Sequence, residues 1–181
     1  IIGGGMAHTF DAAKGLPIGK SLCEKDKFEE ALAQLDKAEK KGVKVVLPVD
    51  LRIADKFAPD ANVQIVDVDK VPEDWEALDS GTKTSELYTE ALKGAKTVIW
   101  NGPMGVFEFD AFANGTLAVA KAVAEATKNG AISIVGGGDS IAALKKTGLS
   151  DQISHISTGG GATLEFLEGK VLPGIAAIAD K

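Results

Sequence analysis

Short apolar runs recur along the chain and alternate with segments of helical spacing. The runs lie at 1–2, 43–49, 63–68, 96–101, 131–136 and 153–157. Most of them are continuously apolar rather than alternating with polar residues, which is typical of strands that are buried on both faces of a sheet. We therefore expect a mostly parallel sheet, with region 50–82 as a connection that contains a single strand.

The intervening segments carry apolar residues every three or four positions. In 26–42 the apolar positions form one helical stripe, and Gly42 offers a C-terminal stop. Similar helical patterns are found at 84–94, 110–130, 139–148 and 162–169. Strands that alternate with helices predict an α/β fold, here a Rossmann-like three-layer sandwich in which helices cover both faces of a mostly parallel sheet. The length of 181 residues suits one domain, 1–181.

Composition narrows the range of functions. The formal net charge of -6 and a pI of about 5.0 argue against a nucleic-acid surface. Cys23 is the single cysteine, so no internal disulfide can form, and we expect a reducing, cytoplasmic location. No apolar run reaches the length of a membrane span, so no membrane partner is expected. The chain starts inside an apolar run without Met, and we expect it to be a fragment.

Three glycine triplets, 3–5, 136–138 and 159–161, each follow an apolar run. At such a position a strand turns into a helix, whose first N–H groups are unpaired and carry partial positive charge. Glycine allows positive φ and lets a phosphate approach the backbone. The triplets could simply close tight turns. Three of them at one edge of a sheet favour an anionic ligand, most simply a nucleotide.

Two familiar nucleotide motifs do not match. Segment 15–22, GLPIGKSL, has three residues between its glycines, whereas a P-loop has four. None of the triplets extends to the G-x-G-x-x-G of dinucleotide-binding folds. The hypothesis of an NAD-dependent oxidoreductase is therefore supported only by the general plan of the sheet. A non-catalytic nucleotide-binding module is the other alternative.

Segment 100–112, WNGPMGVFEFDAF, follows the run at 96–101. Glu108 could accept ribose hydroxyls, and Pro103 and Val106 could pack on a base. The segment could equally be the approach to a helix, with Asp110 as its N-cap and Glu108 in solvent. The residues by themselves leave both interpretations open.

Five stretches together resemble the phosphoglycerate kinase family, specifically its C-terminal, nucleotide-binding domain. They are IIGGGMAHTF (1–10), LPVD (47–50), WNGPMGVFE (100–108), VGGGDS (135–140) and STGGGATLEFLEGKVLPG (157–174). The resemblance covers essentially the whole chain. It implies reversible phosphoryl transfer from 1,3-bisphosphoglycerate to ADP, which gives 3-phosphoglycerate and ATP, in a two-lobed monomer that closes like a hinge.

The resemblance also assigns roles to particular residues. The adenine pocket would be formed by Gly3, Gly4, Leu78, Pro103 and Val106, with Glu108 on the ribose and Asn101 near the phosphates. The phosphate segment would be Gly137, Gly138, Asp139 and Ser140, with Asp139 engaging the Mg²⁺ of ADP or ATP. The transferring phosphoryl group would face Gly159, Gly160 and Gly161.

Two features of the family pattern are missing from this sequence. A GGAK…K segment that supplies lysines, and the lobe that binds 3-phosphoglycerate or 1,3-bisphosphoglycerate, are both absent, and neither Lys14 nor Lys20 is assigned the missing role. We expect the isolated chain to bind Mg-nucleotide weakly and to be inactive. His8, opening a helix, and His155, in a strand, are read as structural, and Cys23 as a bystander.

Overall fold

A computed structural model describes residues 1–178 of the chain. Its helices are α1 (Gly4–Ala13), α2 (Phe28–Lys40), α3 (Thr82–Leu92), α4 (Asn114–Lys128), α5 (Gly138–Thr147), α6 (Gly160–Leu167) and α7 (Pro173–Ala176). Its strands are β1 (Asp50–Ala54), β2 (Val63–Asp67), β3 (Glu76–Ser80), β4 (Thr97–Asn101), β5 (Ile132–Gly136) and β6 (His155–Ser157). The final residues of the predicted domain, 179–181, lie outside the described part.

The predicted parallel arrangement is found in the second half of the chain. Strands β4, β5 and β6 form one parallel sheet in that order, with Asn101 opposite Gly136 and Gly136 opposite Ser157. Because parallel strands share a direction, their carboxyl ends meet at one edge, where ligands of such sheets bind. The segments that follow Asn101, Gly136 and Ser157 are therefore neighbours in space.

One face of this sheet carries the main hydrophobic core. Val98, Trp100 and Val135 point into it, and α3, α4 and α5 contribute Tyr88, Leu92, Val119, Ala120, Val123 and Leu144. On the other face Ile99 and Ile132 are exposed. The α/β class is confirmed, and the arrangement is consistent with a Rossmann-like three-layer fold.

Region 50–82 differs from the prediction of a connection with one strand. It contains β1, β2 and β3, which form an antiparallel sheet in the order β2-β1-β3. Only β2 was predicted. Strands of an antiparallel sheet can leave one face in water, so they lack the long apolar run that marks a buried parallel strand. In β3, whose sequence is EALDS, burial comes from tertiary packing rather than from local hydrophobicity.

The predicted strands at 1–2 and 43–49 do not form a ladder. The two segments are joined by the backbone N–H of Ile2, which donates to Val46 O at 3.0 Å. Among residues 1–178 no strand pairs with the outer edge of β4. An open cavity separates that edge from Ile1 and Ile2, so the apolar run is extended without the neighbours that a strand requires.

Helices α2 to α6 follow the predicted segments with shifted ends, whereas α1 and the short α7 lie outside those segments. His8 lies inside α1 rather than at its start, because the helix already begins at Gly4. Segment 110–130 starts as a 3₁₀ turn, and α4 begins only at Asn114. Asp110 does not cap α4, since its carboxylate accepts from Lys146 Nζ at 2.7 Å. In the part of the chain that the structure describes, no helix has the length and apolarity needed to cross a membrane.

Candidate functional site

Each glycine triplet begins a helix, as the sequence predicts. Gly3 is the N-cap of α1, Gly137 that of α5 and Gly159 that of α6. None of the three caps is satisfied by a side chain. The first backbone N–H groups of these helices are therefore available to an external acceptor, and the helix dipole favours an anion there.

Two of the triplets are in contact with each other. A Cβ on Gly160 would lie 2.5 Å from Gly137 N and 2.6 Å from Gly137 Cα. Gly137 itself has φ of +90°, and a Cβ there would lie 3.0 Å from Asn101 Oδ1. Only glycine permits this approach of two backbones. The starts of α5 and α6 and the end of β4 thus converge at one point.

A cavity of about 800 Å³ lies at this edge of the molecule. Its lining includes seven residues that the resemblance assigned to the nucleotide, namely Gly3, Gly4, Leu78, Asn101, Pro103, Val106 and Asp139. The cavity also continues along the free edge of β4, from Thr97 to Trp100. It is therefore larger than the predicted adenine pocket alone.

A second recess of about 480 Å³ lies beside the first. Pro103, Val106 and Asp139 line both spaces, and Glu108 lines the second alone. Phe57, which the sequence analysis missed, also lines both. It is exposed although large and apolar, and its ring lies 5.3 Å from that of Phe109.

The remaining predicted residues differ in what they can contact. Asn101, Glu108, Gly138 and Asp139 are exposed and free to meet a ligand. Ser140 is fully buried, and its hydroxyl accepts from Gly102 N at 2.6 Å. Ser140 therefore shapes the turn after β4 in this conformation and does not reach the open site.

The loop from 101 to 108 is held by side chains that the sequence analysis did not single out. Thr116 of α4 accepts a hydrogen bond from Met104 N at 3.0 Å. Lys146 of α5 donates to the carbonyl oxygen of Phe107 at 2.8 Å. Both groups are ordinary polar residues of amphipathic helices, so no local signal distinguishes them. Their contribution follows from where their helices pack.

Three buried groups near the cavity have shifted pKa values. Burial raises the pKa of Asp79 to about 7 and that of Asp11 to about 6, because a carboxylate loses hydration there. Burial lowers the pKa of His8 to about 4 for the same reason, since its charged form is the protonated one. His155 lies in β6 as predicted and is exposed.

The site offers a divalent cation one exposed carboxylate rather than a complete set of protein ligands. Among residues 1–178 no group of three or more His, Cys, Asp or Glu side chains could hold a metal ion. Asp139 stands exposed at the start of α5. Mg²⁺ usually takes one or two carboxylates, waters and the phosphates of its substrate, so this donor set fits a magnesium ion that arrives with a nucleotide.

Comparison with known proteins gives consistent matches over the chain. A profile of the family described as "Phosphoglycerate kinase" matches residues 1–170. Phosphoglycerate kinases from Nostoc punctiforme and from Synechococcus sp. are 59% and 56% identical over 99% of this chain. In the structure of phosphoglycerate kinase from Coxiella burnetii, 96% of this chain superposes with a TM-score of 0.91 at 49% identity.

A more distant structure, phosphoglycerate kinase from Pyrococcus horikoshii, matches 97% of this chain with a TM-score of 0.79 at 35% identity. In every one of these matches the other protein is much longer. The chain spans 45% of the Nostoc protein, 44% of the Synechococcus protein, and 44% and 43% of the two solved chains.

Proposed function

Because this chain belongs to the phosphoglycerate kinase family, we propose that it is the C-terminal, nucleotide-binding lobe of such a kinase. The whole enzyme would transfer a phosphoryl group reversibly from 1,3-bisphosphoglycerate to ADP. The observation that carries the lobe assignment is the convergence of Asn101, Gly137 and Gly160 beside the cavity that contains Asp139. Free helix N–H groups, a carboxylate and an apolar wall meet there, as a magnesium nucleotide requires.

The base would lie against the apolar part of the cavity. Gly4 comes so close to the 101–108 loop that a Cβ on it would be 2.7 Å from Pro103 O. Together with Gly3, Leu78 and Val106, these residues form a wall without charged side chains. Glu108 lies exposed in the adjoining recess and would accept hydrogen bonds from the ribose hydroxyls.

The phosphates would lie at the start of α5. Gly137 and Gly138 present free N–H groups, and Asn101 offers an amide beside them. Asp139 would hold the Mg²⁺ of the nucleotide, which when bound neutralises phosphate charge. Ser140 would act through Gly102 by fixing the turn.

The start of α6 would face the phosphoryl group in transfer. Gly159, Gly160 and Gly161 place backbone donors beside the α5 triplet. Donors aimed at the equatorial oxygens stabilise the charge of a phosphoryl-transfer transition state. In this proposal the three triplets face three parts of the reaction: the base, the bound phosphates and the transferring group.

The chain alone should not turn over. No Lys or Arg of the described residues lines the 800 Å³ cavity, and Lys14 and Lys20 lie outside it. Phosphoryl transfer depends on charge neutralisation and on a second, positioned substrate. The cationic side chains and the phosphoglycerate-binding lobe would therefore both be supplied by other parts of a longer protein.

We also propose that this protein is a cytoplasmic monomer.

Nucleotide titration tests the proposal. The protein is titrated with ADP and with NAD, each with and without Mg²⁺, and Asp139→Asn is compared with Asp151→Asn, an exposed aspartate away from the cavity. A charge-assisted contact contributes about 1.5–3 kcal/mol, so we expect the magnesium-dependent gain for ADP to fall roughly 10–100-fold in Asp139→Asn and to persist in the control.

Other outcomes would count against the proposal in distinct ways. Tight NAD binding without a response to ADP would favour an oxidoreductase domain. ADP binding that ignores both Mg²⁺ and Asp139→Asn would refute the assignment of the metal contact. Measurable kinase activity of the 181-residue chain would refute its predicted inactivity.

A further inference from the structure

Asp79, near the end of β3, is a buried carboxylate that the proposed function leaves without a role. Its side chain is 3% exposed. One carboxylate oxygen accepts from Gly115 N in the first turn of α4 at 2.9 Å, and the other accepts from Ser80 N at 2.9 Å. The N-cap residue of α4 has no side-chain hydrogen bond to the helix, so Asp79 caps α4 from another element.

The 101–108 loop rests on the same carboxylate. A Cβ on Gly105 would collide with the Asp79 carboxylate and would lie 2.7 Å from Leu78 O. The next N–H in the loop, that of Val106, donates to Leu78 O at 2.8 Å. The end of β3 is therefore the surface on which the loop is seated.

Helix α4 and the loop are also joined directly. Met104 N donates to Thr116 Oγ1, one residue after the glycine that Asp79 caps. A Cβ on Gly115 would lie 2.5 Å from Asp79 Oδ1. Asp79 thus lies at the junction of β3, the loop and the start of α4, and it also lines the cavity.

The charges that face this junction are few. Arg52 of β1, directly opposite Asp79 in the sheet, favours its ionised form. Arg52 Nε is itself buried without a hydrogen-bond partner. Helix α1, which packs on β3, brings His8 and Asp11 to this region. The loop and α4 present only backbone N–H groups and glycines to the carboxylate.

We propose that Asp79 is a positioning residue for nucleotide binding. In its ionised form it accepts from α4 and seats the 101–108 loop, so that Pro103 and Val106 form the wall against the base. Protonation removes negative charge from the acceptor and loosens both attachments. The identity of the ligand rests on the proposed function, whereas the positioning role rests on the contacts of the junction itself. The raised pKa of Asp79, about 7, places this change near neutrality.

The test combines binding with amide exchange. ADP affinity in Mg²⁺ is measured between pH 5.5 and 8.5 for the unmodified protein, Asp79→Asn and Asp69→Asn, an exposed aspartate used as the matched control. Below the pKa, one coupled proton weakens binding about tenfold per pH unit. We expect this slope in the unmodified protein and in the control. In Asp79→Asn we expect affinity about tenfold lower at pH 8 and a shallower slope, which retains only the ionisation of the nucleotide phosphate near pH 6.

Hydrogen exchange of the ligand-free protein decides the matter independently of ADP. After correction for intrinsic rates, acidification and Asp79→Asn should each speed exchange at Val106 and Gly115 at least fivefold, with Val135 of β5 unchanged. If ADP does not bind at any pH, the proposed function is wrong, but the exchange rates still test whether Asp79 holds the loop and α4. A uniform change at all three amides, or no change at Val106 and Gly115, would overturn the positioning role. If Asp79→Asn does not fold, the effect of acidification on the unmodified protein is a sufficient test.

Discussion

Neighbouring glycines of one triplet have different reasons to be glycine. Gly160 faces the backbone of Gly137, whereas a Cβ on Gly161 would meet nothing within 4 Å. Neither has a positive φ, so the difference is steric rather than conformational. The contact that brings α5 and α6 together therefore depends on the middle position of the triplet.

We predict that Gly160→Ala lowers the free energy of unfolding by about 1–3 kcal/mol, because backbone must move to admit the methyl group. The displacement should also weaken ADP binding, since the start of α5 is the other side of the contact. Urea unfolding and ADP titration measure the two effects.

Gly161→Ala is the matched control for stability. It adds the same methyl group in the first turn of the same helix, into open space, so stability should stay constant or rise slightly with helix propensity. Equal losses in the two variants would contradict the steric explanation.

At the scale of elements, α3 is fastened to the start of β1 by a pair of polar side chains. Asp50 accepts from Lys83 N at 3.1 Å and from Thr84 N at 2.7 Å. In return, Thr84 Oγ1 accepts from Val49 N and Asp50 N and donates to Asp50 O. Both side chains are almost fully buried. This reciprocal cap holds α3, which forms part of the main core, against β1 of the antiparallel sheet.

Removal of the Thr84 hydroxyl should be costly. Thr84→Val keeps the shape but leaves the N–H groups of Val49 and Asp50 without an acceptor, and we predict a loss of about 1–3 kcal/mol in the free energy of unfolding. Thr84→Ser should retain most of the stability. Denaturant unfolding followed by circular dichroism measures the difference.

Thr89→Val, on the same helix, controls for the loss of a hydroxyl as such. Its Oγ1 only donates to Ser85 O one turn earlier, so its removal leaves no backbone N–H unpaired. A loss as large as that of Thr84→Val would argue against the capping role.

At the scale of the whole molecule, buried titratable groups act on stability in opposite directions. His8 has a pKa of about 4 in the folded state and about 6.5 unfolded. Between these values the unfolded chain binds more protons, so this group makes stability rise with pH. Asp11 and Asp79 have raised pKa values, so the folded state binds more protons and stability falls with pH through that range.

Replacing the histidine should expose this balance. His8→Gln removes the contribution that rises with pH, so relative to the unmodified protein its stability should improve by about 2 kcal/mol on going from pH 7.5 to pH 5. Unfolding free energies at the two pH values test this. His155→Gln, at an exposed strand position, should show no such difference, and a parallel change in both variants would contradict burial as the cause.

The sequence by itself determined the features that depend on short-range pattern. The order of helices with strands β2, β4, β5 and β6 follows from periodicity, which reflects burial of one local segment at a time. The three glycine triplets at helix starts follow from backbone constraints within a few residues. The family resemblance rests on the same stretches, and the family is confirmed over residues 1–170.

Only the tertiary structure decided which distant groups meet. The antiparallel sheet of β1, β2 and β3, the contact of Gly160 with Gly137, and the buried Ser140 hydroxyl all join residues that are far apart or locally unremarkable. The same is true of Asp79, which caps α4 beneath the 101–108 loop through a bond to Gly115, far away in the sequence. Periodicity reports that a residue is buried, whereas its partners depend on how the elements pack, and that packing is a property of the whole chain.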